Sequence, residues 1–212
     1  MAIGLLFLFI PTPYAALPKL EKLLQLAQSR YGSTAVQAVT QWRELLVKSR
    51  GLPETEQIAK ANDFFNRRIT FLDDADVWGK EDYWATPLET LGRGAGDCED
   101  FAIAKYVSLR SMGVPIDKLR LTYVRAQIDG VSQAHMVLAY YPAPRAEPLI
   151  LDNLNPEILP ASRRNDLYPV FSFNSEGLWV GGGATEKSFG SSTARLSRWR
   201  DLLARMQAEG IE

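Results

Sequence analysis

The chain has 212 residues, 46% of them apolar and 23% charged, with a formal net charge of −1. That size and balance suit one globular domain and offer no basic surface for nucleic acid. A single cysteine excludes an internal disulfide, and a single histidine leaves one candidate for imidazole chemistry.

Met1 to Ile10 is almost wholly apolar and runs into Pro11-Thr12-Pro13-Tyr14-Ala15-Ala16. The pattern resembles the core and small-residue cleavage region of a secretory leader, although no Lys or Arg precedes it. A packed N-terminal segment is the other reading, and the run is too short to span a bilayer. Residues 1–16 are set apart on this basis. Residues 17–212 are expected to form one domain, with a helical lobe over about 17–115, a sheet lobe over about 116–185 and a last helix over about 191–208.

Leu17 to Ser29 has a partly amphipathic helical pattern. Ser33 is placed to cap a helix through Val47, with Val36, Val39, Trp42, Leu45 and Leu46 at helical spacing. Pro53 opens a third helix, Glu54 to Arg68, whose apolar stripe is Ile58, Ala61, Phe64 and Phe65. Leu72 to Pro87 reads as a polar loop holding Trp78 and Trp84, which either wall a cleft or plug a junction between lobes. Asp97 can cap a helix to Met112, closed by Gly113 and Pro115. Ile103, Tyr106, Val107 and Arg110 lie along one side, which predicts a helix buried beneath a sheet with the Arg110 head group reaching its edge. Strands are predicted at Leu119–Ala126 and Ala134–Tyr141, joined through Asp129-Gly130, then at Leu149–Leu151 and within Phe171–Val180. Gly181-Gly182-Gly183 loosens the chain before a helix from Ser191 to Ala208, with Leu196, Trp199, Leu203 and Met206 on its inner side.

Cys98 lies one residue beyond the expected cap Asp97, where unsatisfied N–H groups and the helix dipole favour a thiolate. His135 opens an apolar strand and can take the thiol proton and return it to a leaving amine. Asp152 leaves the next apolar strand, where a carboxylate can fix the imidazole tautomer. Each alone has a plain structural reading: inert core thiol, satisfied histidine, turn-forming aspartate. Their order on helix, strand and next strand is what points to a catalytic triad. Asp97, Glu99 and Asp100 work against a thiolate, since like charges raise its pKa. They are either ordinary first-turn acids or ligands of a divalent cation that would restore a positive field. An all-oxygen set suits calcium.

Asp82-Tyr83-Trp84-Ala85-Thr86-Pro87, Gly96-Asp97-Cys98-Glu99-Asp100-Phe101-Ala102-Ile103-Ala104-Lys105-Tyr106, Ala134-His135-Met136-Val137-Leu138 and Leu151-Asp152-Asn153 together resemble the bacterial transglutaminase-like cysteine proteinases. The similarity runs from about Ile69 to Val180. It implies an α+β, papain-like and transglutaminase-like fold, a helical N-terminal lobe packed on an antiparallel sheet lobe, with the triad at Cys98, His135 and Asp152. It also implies a calcium requirement, carried over to Asp97 and Glu99 with Asp100 as a further ligand. The Asp73, Asp74, Asp76 run is left outside that ligand set. The oxyanion hole is expected to use the Cys98 N–H and one donor from the preceding loop, with Trp84 a candidate for that donor or for the cleft wall.

For function, the resemblance implies a periplasmic, calcium-dependent cysteine endopeptidase that cuts a large surface adhesin near its N-terminus and so promotes biofilm dispersal. It implies as partner an inner-membrane cyclic-di-GMP receptor that sequesters the protease. Acyl transfer to an amine, and a calcium-dependent binding module with a vestigial site, are the competing readings.

Overall fold

A computed structural model of the chain describes residues 16–180 and 193–211. The apolar leader-like run and the Gly181-Gly182-Gly183 segment lie outside the described residues, as does the Leu196 side chain. Helices come first: α1 (Leu20–Tyr31), α2 (Ser33–Ser49) and α3 (Glu54–Arg68). Gly32, not Ser33, occupies the cap of α2, at φ +86°. This glycine also ends α1 and takes the positive φ that a side chain resists, so the two helices share one punctuation residue.

The stretch expected to be a loop is more structured than its polarity suggested. A two-residue strand β1 (Thr70–Phe71) precedes a short helix α4 (Asp74–Trp78). Helix α5 (Pro87–Arg93) follows, opened by Pro at its first position and by a capping box in which Thr86 and Glu89 satisfy each other's backbone N–H. Those signals were in the sequence. The helix was missed because seven residues are too few to show a 3.6 period. Strand β2 (Ala95–Gly96) then pairs in parallel with β1, with Thr70 N–H donating to Gly94 O and Leu72 N–H to Gly96 O.

Helix α6 (Cys98–Met112) is the central element. Asp97 caps it as expected, accepting from the Glu99 and Asp100 N–H groups, and Gly113 ends it in the left-handed region. The helix lies against the sheet as expected, and its burial extends beyond one side: nearly every residue from Cys98 to Met112 is buried. α2, α3 and α5 pack against α6, and so do two strands, Leu119–Ile128 and Val131–Tyr140. A helix enclosed this way has no solvent face to generate a polar stripe. Trp42 of α2 is fully buried and donates its indole N–H to Ser108 Oγ at 2.8 Å, while Gln57 of α3 bonds the C-terminal carbonyl of Met112.

The sheet has six strands in the order β6-β5-β4-β3-β7-β8, all antiparallel. β3 (Leu119–Ile128) and β4 (Val131–Tyr140) form a hairpin longer than expected. Its two-residue turn, Asp129-Gly130, has φ of 51° and 81°, the signature of a type I′ turn that matches strand twist. β5 is Leu149–Leu151 and β6 Leu159–Pro160. The single strand expected within Phe171–Val180 is two, β7 (Leu167–Phe173) and β8 (Leu178–Val180), turned through Asn174. Alternation along β4 sends Met136, Leu138 and Tyr140 into the main core with α6. Val137 and Ala139 go to a small second cluster on the other face. Helix α7 (Thr193–Glu209) packs Trp199, Leu202 and Met206 onto the main core. Its Arg205 pairs with Glu89 and donates to Trp84 O, pinning α5 and the segment before it. No helix among the described residues is long and apolar enough to cross a membrane.

Candidate active site

The N-terminus of α6 meets the middle of β4, and His135, expected to open its strand, is the fifth residue of it because the hairpin pairing extends back to Val131. Cys98 is nearly buried, and the backbone N–H of Met136, the residue after His135, is close enough to its sulfur to lower the thiol pKa. His135 is 3% exposed and its Nε2 lies 2.8 Å from Asp152 Oδ1. The three residues expected to form a triad thus fall on α6, β4 and the end of β5, as the order of elements implied. β4 and β5 are paired neighbours, with Leu138 opposite Leu151, which is what brings residue 152 alongside residue 135.

Asp152 is the best-satisfied group in the site. Its Oδ1 also accepts the Leu154 N–H at 3.1 Å, and its Oδ2 takes Arg164 Nη2 at 2.7 Å. Asn66 of α3 fixes its backbone carbonyl at 2.7 Å. Burial pushes the carboxyl pKa up, but the His135 contact and the Arg164 hydrogen bond outweigh it and hold Asp152 at about 2. Arg164 is buried and is shared with Asp166. Nothing in the sequence singled out Arg164 from its neighbour Arg163.

The sulfur end is the opposite case. The Cys98 thiol donates to Glu99 Oε2 at 2.7 Å. Burial, then the negative charges of Glu99 and Asp97, push its pKa well above the usual thiol range. Asp97 is pushed up to about 10 by burial and by the charges of Glu99, Asp100 and Asp74. Asp100, fully buried, lies well above the carboxylate range, chiefly through burial. Asp74 of α4 is raised to about 6, again by burial first.

The acids that converge include Asp74, which lies outside the ligand set expected from the sequence. Carboxylate oxygens of Asp74, Asp97 and Asp100 lie within 4.8 Å of one another. The parallel pairing of β1 with β2 carries the 70s segment to the foot of α6, which no local pattern announces. Gly96 permits the approach, because a Cβ there would meet Asp100 Oδ2 at 2.6 Å. Asp74 Oδ1 and Asp100 Oδ2 are buried without a hydrogen-bond partner among the described residues. Orphaned carboxylate oxygens of raised pKa, gathered in one place, fit a hard divalent cation of the calcium type. Glu99, the other expected ligand, has its carboxylate on the thiol.

The same acids organise the loop before α5. The Tyr83 N–H bonds Asp74, the Ala85 N–H bonds Asp100 Oδ1 at 2.7 Å, and the Thr86 N–H bonds Glu89. Those donors are spent. Trp84 is buried and stacked on Phe173, centroids 5.8 Å apart, and its indole N–H has no partner among the described residues. Lys105, also fully buried on α6, has an unpartnered Nζ, and burial lowers its pKa to about 7 against the opposing charge of Asp152.

Comparison with known proteins fits this geometry. The family profile described as bacterial transglutaminase-like cysteine proteinase (BTLCP) matches residues 37–181. The solved structure of Legionella pneumophila LapG is 43% identical, covering 91% of this chain and 99% of that one, with a TM-score of 0.75. The EGTA-treated form of that protein is 42% identical over 91% of this chain and 100% of that one, TM-score 0.77. Its calcium-bound form is 44% identical over 88% and 98%, TM-score 0.74. No curated protein matches the chain.

Proposed function

The chain belongs to the bacterial transglutaminase-like cysteine proteinases, and from that premise we propose that Cys98, His135 and Asp152 form the catalytic triad of a calcium-dependent endopeptidase. The observation that carries the assignment is the 2.8 Å His135–Asp152 bond, on the strand whose next residue, Met136, brings its backbone to the Cys98 sulfur. Because Nε2 is engaged by Asp152, Nδ1 is the nitrogen left for the thiol. His135 takes the S–H proton as Sγ attacks the peptide carbonyl carbon, then delivers it to the leaving amine. Water, deprotonated by His135, cleaves the thioester. Asp152, anchored by Arg164, holds the imidazole in one tautomer and stabilises its charged form. The oxyanion is assigned to the Cys98 N–H and the unpartnered Trp84 indole N–H.

Asp74, Asp97 and Asp100 would hold calcium, with Glu99 as the fourth acid. Bound there, the ion would supply positive charge that offsets the carboxylates raising the Cys98 pKa. The calcium-bound and EGTA-treated forms of the Legionella protein support this reading. The family resemblance supports a periplasmic setting, a large surface adhesin as substrate, and an inner-membrane cyclic-di-GMP receptor as sequestering regulator.

The test is cleavage of the N-terminal region of a surface adhesin by wild type, by Cys98→Ala, and by wild type in chelator. The expected result is cleavage by wild type alone, lost in chelator and restored by calcium. Chelator-insensitive cleavage would remove calcium from the reading. Amine incorporation without cleavage would replace hydrolysis by acyl transfer.

A further inference from the structure

The face of the sheet turned away from α6 carries a cavity that the cleavage chemistry does not use. Its volume is about 520 Å³, within the range of small-molecule sites. The floor is the small second cluster, Val124, Val137, Ala139 and Ile150, from three adjacent strands. Around it stand Arg120, Arg145 and Arg164 against one acid, Glu147, whose carboxylate already accepts the Ser162 N–H. The lining is thus apolar below and cationic at the side.

Two of these guanidinium groups have buried nitrogens that donate to nothing among the described residues, Arg164 Nη1 and Arg120 Nε. Arg164 is 4% exposed, with Nε and Nη2 committed to Asp166 and Asp152. Arg120 is held between the rings of Tyr141 and Trp179, at 4.5 and 4.1 Å. Charged donors left unpaired in an apolar wall are costly, and an incoming anion would satisfy them.

We propose that this cavity binds an aliphatic carboxylate, its chain on the Val124–Val137–Ala139–Ile150 floor and its head group among the three arginines. Four aliphatic side chains give the amides of a peptide nothing to bond, which favours an alkyl chain over a peptide terminus. The guanidinium that would receive the head group also holds Asp152. The bound head group is thereby joined to Asp152 through one guanidinium without approaching Cys98. That link to the site rests on the reading of Asp152 given above; the binding does not.

Calorimetry on the full chain tests it, with octanoate, 1-octanol and N-acetyl-trileucine free acid as probes. Octanoate is expected to bind saturably at one site, with octanol weaker by about tenfold or more. Ala139→Leu, which fills the floor, is expected to abolish octanoate binding. Arg145→Ala, at an exposed position, is expected to weaken it by about threefold and decides the matter should the core variant not fold. Absence of saturable binding, equal binding of octanol, or octanoate binding unchanged in Arg145→Ala would overturn the proposal. Tighter binding of the trileucine acid would replace the alkyl ligand by a peptide terminus. None of these readouts depends on cleavage, so failure here is separate from failure of the protease reading.

Discussion

The two ends of the site are built on opposite electrostatic plans. At Asp152 one carboxylate meets His135, Arg164 and a backbone N–H, and its charge is compensated on every side. At Cys98, Glu99 and Asp97 bear on the thiol, Asp74 and Asp100 gather with Asp97, and two of these carboxylate oxygens have no partner among the described residues. The first end is organised by the chain itself. The second is organised only in part, by the backbone N–H groups of Tyr83, Ala85, Glu99 and Asp100, and keeps carboxyl groups whose burial together a divalent ion would offset.

The sharpest way to break this contrast is to remove charge at each end. Asp152→Ala strands a buried Arg164, so unfolding in urea is expected to show a loss of about 3–5 kcal/mol. Asp100→Asn removes a buried carboxyl that must take up a proton or a cation to be accommodated, while keeping an acceptor for Ala85. In chelator it is expected to be more stable than wild type by about 1–2 kcal/mol, and its melting temperature should gain less from added calcium. An Asp100→Asn protein that melts lower in chelator would mean that the cluster is not frustrated. Lys105→Met is a third probe, replacing an unpartnered buried cation by an apolar chain of similar length, and is expected to raise stability by about 1–2 kcal/mol. Because the folded Lys105 pKa is lowered to about 7 from 10.5, the unfolded chain binds the extra proton between those values, and stability rises with pH across that window. The gain from Met should therefore be larger at pH 6 than at pH 9; equal gains would mean that Lys105 is not desolvated.

The smallest effect is a pH dependence at the compensated end. Asp152 is held at about 2 against 3.8, so its contribution is complete above the unfolded value and is lost as pH falls through the folded one. The stability gap between wild type and Asp152→Ala should hold from pH 7 down to about 4 and narrow toward 2. A gap that closed near pH 6 would show that Asp152 is not the ionised partner of His135 and Arg164.

Much of the fold was readable because its signals are local. Asp97 caps α6 and Gly113 ends it within one turn of where the sequence put them, and Asp129-Gly130 makes the hairpin turn. The helical N-terminal third and the antiparallel strands followed from period and punctuation. Failures occurred where an element was too short to carry a period, as in α5, β1 and β2. Within the site, the uniqueness of cysteine and histidine marked two residues before any geometry was known. Arg164 and Asp74 carried no comparable mark, since arginines and loop acids are common and mostly solvated.

The sequence by itself determined which groups can do the chemistry and which local frames hold them: a thiol at a capped helix start, an imidazole on a strand, a carboxylate closing the next. Tertiary structure alone decided their electrostatic surroundings. It placed Asp74 beside Asp97 and Asp100, Arg164 on Asp152, and Lys105 out of water, across separations of twelve to more than twenty residues of chain. Caps and turns are settled by hydrogen bonds within a few residues, whereas burial and charge compensation depend on which distant segments pack together.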